Sequence, residues 1–246
     1  MHESSVSKIV QASYLQVWIV EAEQSPFFLG WWGISLSNVG LGEKRPDVGT
    51  YGLYDQSNLP PLPVPLNGNF SWLRDARKHA LHIGIERQAE NERSLSELVK
   101  DCTNRNVALP HSFVEFISTP KLYACVRSNT DCFIDVAARP VRSPAGNGVL
   151  IRFLADSQGC IFWYLFIPTD SDDHAVVASP NFYGPEAEHE NREISDGPES
   201  TVFAERSFEG FICRFWIENE LWFSDYEATP INQIGRRYLA AYQTNA

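Results

Sequence analysis

The residues able to do chemistry stand at spacings that rarely let them do it together. His79 and His82 are three apart and could share one helical face, and Asp172-Asp173-His174 offers hard ligands in a loop. A structural zinc site needs four ligands at recognisable spacing, with cysteines in pairs. Cys125 and Cys132 are seven apart, so no metal site is expected and the histidines read as ordinary surface groups. Cys160 would need a nearby base or a helix amino terminus to become a nucleophile. It opens the run Ile161-Phe162-Trp163, where a buried, inert thiol is expected. Glu218 and Glu220 flank Asn219, but residues two apart on a helix point to different sides and cannot form an acid–base couple alone. Asn219 falls on an aromatic stripe. A buried amide must be hydrogen-bonded, so it reads as a structural residue tying its helix to a neighbouring loop. Nucleophile-elbow, phosphate-loop and dinucleotide patterns are missing from the sequence, and Gly40-Leu41-Gly42-Glu43-Lys44 has the wrong glycine spacing for a phosphate loop. No catalytic residue and no cofactor is expected.

The strongest signal is the placement of charge. Between Asp170 and Glu205 lie ten acids, among them Asp170, Asp172, Asp173, Glu186, Glu188, Glu190 and Glu193, and one base, Arg192. That segment carries -9 of a chain total of -11. It also holds Pro180, Gly184, Pro185, Gly197 and Pro198, so much of it reads as loop. Such a run either aids solubility or steers a basic partner, because complementary charge raises association rate and selectivity. Those seven acids are the candidate partner-binding residues.

These groups need elements to hold them. Tyr14–Val20 and Phe28–Leu36 are aromatic and β-branched and read as strands. The run Leu59–Pro65, with four prolines in seven residues, is a break. Ser71 could cap a helix carrying Trp72, Ala76 and Ala80. The polar stretch Glu86–Arg93 is a second break. It precedes Ser94-Leu95-Ser96-Glu97, a capping-box pattern followed by Leu95, Leu98, Val99 and Cys102 at helical spacing. Pro110 sits where a new helix tolerates it, with Phe113, Phe116 and Ile117 inward and Thr119-Pro120 as its stop. Lys121–Arg127 and Cys132–Ala137 are short strand candidates. Val149–Leu154 and Cys160–Ile167 flank the turn Asp156–Gly159 and predict a hairpin, and His174–Ser179 returns as a third strand. The second hairpin strand is apolar on both faces and belongs in the middle of its sheet. Ser207 opens a helix with Glu209 in its first turn and Phe208, Phe211, Ile212, Phe215, Asn219 and Trp222 along one stripe. A last amphipathic helix follows Pro230, with Ile231, Ile234, Tyr238 and Leu239 inward. The fold class is α+β, with helices segregated to one side of a mostly antiparallel sheet.

Composition excludes several other classes. At 246 residues, 43% hydrophobic and 13% aromatic, the chain can bury a large core without a staple. No run approaches about 18 consecutive apolar residues, so no membrane partner is expected. Met1-His2-Glu3-Ser4-Ser5 lacks a signal-peptide start, and five irregularly spaced cysteines suit a reducing cytoplasm. Acid excess argues against a nucleic-acid partner, because non-specific binding depends on neutralising phosphates.

Leu109-Pro110-His111-Ser112-Phe113-Val114-Glu115-Phe116-Ile117 resembles a helix of the SUKH superfamily, the bacterial immunity-type proteins related to fungal cell-wall-synthesis regulators of the Smi/Knr type. Gln158–Leu165 with His174–Val177 resembles the sheet of a bacterial branch of that family. Ser207–Phe211 running on through Arg214–Phe223 is the nearest match. The resemblance spans about residues 94–225. It implies a SUKH-like domain over 91–246, with residues 1–90 an unassigned section that is either separate or integral to it. It also implies a non-enzymatic, cofactor-free role, in which many members bind and neutralise a toxin, often a nuclease. An acidic mimic could occupy the cationic cleft of such a toxin. A regulator or scaffold like the fungal relatives is the second expectation. An enzyme using His79, His82 or Cys160 is the third.

Overall fold

The computed structural model describes residues 25–169, 171, 173–184 and 200–244. The expected strand Tyr14–Val20 lies outside them. Among the described residues are nine strands, β1 Phe28–Leu29, β2 Trp31–Gly33, β3 Gly52–Tyr54, β4 Phe133–Ile134, β5 Val141–Arg142, β6 Gly148–Ala155, β7 Phe162–Pro168, β8 Ala175–Ser179 and β9 Val202–Glu205, and five α-helices, three before β4 and two after β9. The helices are α1 Gln88–Asn104, α2 His111–Ser118, α3 Pro120–Tyr123, α4 Phe208–Tyr226 and α5 Gln233–Thr244. Seven strands form one sheet in the order β1-β9-β8-β7-β6-β4, with β5 also paired to β6, and β2 pairs β3 separately. Every pairing in the large sheet is antiparallel except β1 with β9. The architecture is α+β.

Burial follows the two-residue period of the strands. Trp163, Leu165 and Ile167 of β7 face a core shared with Phe208, Phe211, Ile212 and Phe215 of α4, Leu98 of α1, and Phe113 and Phe116 of α2. Tyr164 and Phe166 face a smaller cluster with Val177, Phe203, Phe27, Val141 and Tyr183, to which no helix among the described residues contributes. Helices therefore cover one face. β7 has to be apolar on both faces because both faces are buried, and β6 and β8 flank it. Trp31, Ile34, Leu36, Phe70, Leu73 and Ile83 from the first 90 residues belong to the larger core. Among the described residues no helix is long and apolar enough to cross a membrane.

Several local expectations are corrected. Ser94 is not an N-cap, since α1 starts six residues earlier at Gln88. The polar stretch is helical because Asn91 is buried, donating from Nδ2 to the Ile134 carbonyl and accepting from the Val136 N–H. Arg87 also pairs with Glu90 and Asp135 there. The helix proposed from Ser71 is absent, and residues 71–76 form turns. Phe70 adopts a left-handed backbone (φ 56°) and the neighbouring N–H groups are taken by Glu209 instead. Lys121–Arg127 is not a strand, because Pro120 starts the short helix α3. Phe28–Leu36 is broken into β1 and β2 at Gly30, where an added Cβ would meet Leu53 Cδ1 at 2.8 Å. Val202–Glu205 pairs with β8 and β1 as a strand that the sequence reading lacked.

Candidate functional site

Helix α4 organises the interior and the surface alike. Ser207 caps it, its Oγ accepting from the Gly210 N–H at 3.0 Å. In the first turn, the buried Glu209 carboxylate accepts from the Gly68 N–H (2.5 Å), the Phe70 N–H (2.9 Å) and Trp72 Nε1 (3.0 Å). Two turns further, Glu218 is fully enclosed. It accepts from Arg45 Nη1 (2.5 Å) and Nη2 (2.8 Å), Trp31 Nε1 (2.8 Å) and the Tyr238 hydroxyl (2.9 Å). Burial opposes its charge, but Arg45, then Arg214 and Trp31, outweigh burial and hold the carboxyl below its usual range. Every one of these partners is internal, so the cluster is scaffolding that joins the first section, α4 and α5. Asn219 lies beside it, buried, with Oδ1 accepting from the Asn129 N–H (2.9 Å) and Nδ2 donating to the Phe215 carbonyl (2.9 Å). That bond positions the loop after α3.

A groove of about 570 Å³ opens where this loop meets the carboxyl end of α4. Three segments line it: Arg77–Glu86, Arg127–Phe133, and Trp222, Phe223, Tyr226 and Glu227. In its floor Arg127 bridges two carboxylates, Nε to Glu220 at 2.8 Å and Nη1 to Glu227 at 2.6 Å. The guanidinium also lies 3.9 Å from the centre of the Phe223 ring. His79 Nε2 stands 3.4 Å from Glu220 Oε1, without the alignment of a hydrogen bond. Burial opposes charge on Glu220, yet His79 and Arg127 prevail and lower its pKa. On the outer wall the Trp222 and Tyr226 rings stack at 5.1 Å and 17°. Tyr226, Leu81 and Ile85 are exposed. An open groove with Trp and Tyr on its wall and Arg in its floor has the composition of a contact surface.

Of the seven expected partner-binding acids, Asp173 is described and is exposed in the loop before β8. Asp170, Asp172, Glu186, Glu188, Glu190 and Glu193 lie outside the described residues. Asp173 lines a second cavity of about 360 Å³, together with His174 and Arg206. His174 Nε2 accepts the Phe208 N–H at the start of α4 (3.3 Å). Burial lowers the His174 pKa and Asp173 partly opposes it. His79 and His82 both line the groove, but on a stretch of bends and turns rather than a helical face, and His79, its side chain 7% exposed, is not the ordinary surface group expected. Cys160 lies apart from them and contradicts expectation, being exposed rather than buried. It ends the hairpin turn, its N–H held by Asp156 Oδ2 (3.1 Å), so the apolar run begins one residue later. Residual desolvation and then Asp156 push its thiol up, away from reactivity.

Arg127, Glu220, Trp222 and Tyr226 were missed as a set. The i, i+4 spacing of Trp222 and Tyr226 was available as a signal, whereas Arg127 sits 93 residues from Glu220. No family model, curated protein or solved structure matches the chain.

Proposed function

We propose that the chain is a non-enzymatic cytoplasmic protein that works by protein–protein contact, an immunity protein neutralising a basic, nuclease-type toxin domain. The observation that carries this reading is the groove. Its inner charges, Arg127, Glu220 and Glu227, are committed to one another, while its outer aromatic and aliphatic side chains are presented to solvent. That arrangement suits desolvating a partner's surface. The net charge of -11 supports a basic partner over nucleic acid, and the resemblance of residues 94–225 to SUKH proteins supports immunity over other contact roles.

The test is co-expression with a toxin domain encoded beside this gene. Rescued growth and a stable complex on gel filtration are expected. An isolated gene whose product copurifies stoichiometrically with a housekeeping protein would favour the Smi/Knr-type regulator instead. A second reading, an enzyme, is favoured by one observation: His79 and His82 share the groove, with His79 against Glu220. Turnover of a small molecule that is lost in His79→Gln would replace the contact reading.

A further inference from the structure

We propose that the groove at the carboxyl end of α4 seats a basic side chain, an arginine or lysine presented by a partner protein, against the Trp222–Tyr226 stack. The proposal rests on the protein-contact reading and gives it a surface. Three independent features meet there. First, Tyr226 is 73% exposed, yet its ring is fixed in parallel stacking on Trp222. The pair offers a rigid aromatic face, and Leu81, 78% exposed, stands in the same lining. Aromatic faces attract cations through the ring quadrupole, Trp and Tyr most effectively, and guanidinium is the commonest guest.

Second, a polar atom in the lining lacks a partner. His79 Nε2 faces Glu220 at 3.4 Å. Asn129 Oδ1, by contrast, is buried without a donor. Buried polar atoms are ordinarily satisfied, and Asn129 Oδ1 is an acceptor, which a guanidinium or ammonium N–H would satisfy.

Third, charge favours a cation over an anion. Arg127 is one cation shared between Glu220 and Glu227, and Glu86 and Asp131 add two more carboxylates to the lining. The last carbonyls of the 19-residue helix α4 add the negative end of its dipole. Arg77 and Lys78 also line the groove. With them counted the lining and floor still hold four carboxylates against three cations, on a molecule of net charge -11. The way Arg127 is held over Phe223 shows the kind of seat the neighbouring stack would provide for a second guanidinium.

The test uses the full chain and two six-residue peptides, glycine alternating with arginine or with glutamate, titrated while the Trp222 indole N–H is followed by NMR. The arginine peptide should shift that signal. Tyr226→Ala, and separately Glu227→Gln, should weaken its binding by about tenfold, while Asp173→Asn, lining the other cavity, should leave it within about twofold. Preference for the glutamate peptide would overturn the proposal. So would arginine binding that ignores Tyr226→Ala, or self-association of the chain that Tyr226→Ala abolishes. Toxin rescue by wild type and Tyr226→Ala alike would overturn the groove and leave the contact reading standing. Failure of rescue by wild type, with arginine-peptide binding intact, would remove the immunity reading and leave the groove.

Discussion

Arg45 and Glu218, 173 residues apart, form an ion pair with both side chains sealed from solvent, at 1% and 2% exposure. Tyr242 and the Ile34 carbonyl take the other two Nη donors (3.0 and 2.7 Å), Nε has no hydrogen-bond partner, and the guanidinium carbon lies 4.2 Å from the centre of the Tyr54 ring. Removing one member of such a pair leaves an uncompensated buried charge. Arg45→Met or Glu218→Ala should each cost about 3–5 kcal/mol in urea unfolding. The two losses should be strongly non-additive in the double variant, and strict additivity would contradict the pairing.

Glu209 serves the first section in a different way, as an acceptor for a loop rather than a partner for a cation. Glu209→Ala would strand two backbone N–H groups and the Trp72 indole. The expected loss is on the order of 3 kcal/mol. It should be accompanied by faster amide exchange at Gly68 and Phe70, which a general loss of core packing would not confine to that loop.

Stability should fall as pH drops through the histidine range. The unfolded chain takes protons on His174 and His82 near about 6.5, but the folded chain resists them. Burial lowers both pKa values, with Asp173 partly opposing the shift at His174 and His79 adding to it at His82. Each group therefore contributes stability that is complete above about 6.5 and is lost as pH falls towards the folded pKa. Protonation of His174 would also place a cation at the positive end of α4 and remove the acceptor for Phe208. Thermal midpoints between pH 7.5 and 5 should decline less steeply in His174→Gln. Glu218 and Glu220, both lowered, act in the same direction below about 4.5.

Five cysteines should separate cleanly under a thiol reagent. Cys160 is exposed, whereas Cys102, Cys125, Cys132 and Cys213 are buried. Native protein should release one equivalent and denatured protein five. The single native reaction should be slower than that of a free thiol, because the Cys160 pKa is raised. Cys160→Ser should abolish the native equivalent.

Neutralising Asp172, Asp173, Glu186, Glu188 and Glu190 together should slow association with a basic partner by about tenfold at low salt and flatten its salt dependence. Stopped-flow rates across ionic strength would show this. An unchanged salt slope would remove the steering role of the segment.

The parts of the fold legible in the sequence are those written in local periodicity. The β6–β7 hairpin, the third strand β8, and α4 with its Ser207 cap follow from alternation, turn residues and a helical stripe. The start of α1 did not, because Asn91 in its first turn and Arg87 just before it are held by bonds to Ile134, Val136 and Asp135, more than forty residues away. Nor did the turns at 70–76, since a local helix signal lost to one distant carboxylate.

Charge shows the division most sharply. The sequence alone located an acidic segment, because counting needs no coordinates. It could not tell which carboxylates elsewhere would be internal. Glu209 and Glu218 became scaffolding because partners from residues 31–72 close over them, and His79, Arg127 and Tyr226 became neighbours because α4 ends between two loops. Desolvation and pairing depend on the distance between side chains in space, and for these residues the chain path brings together groups up to about 150 positions apart.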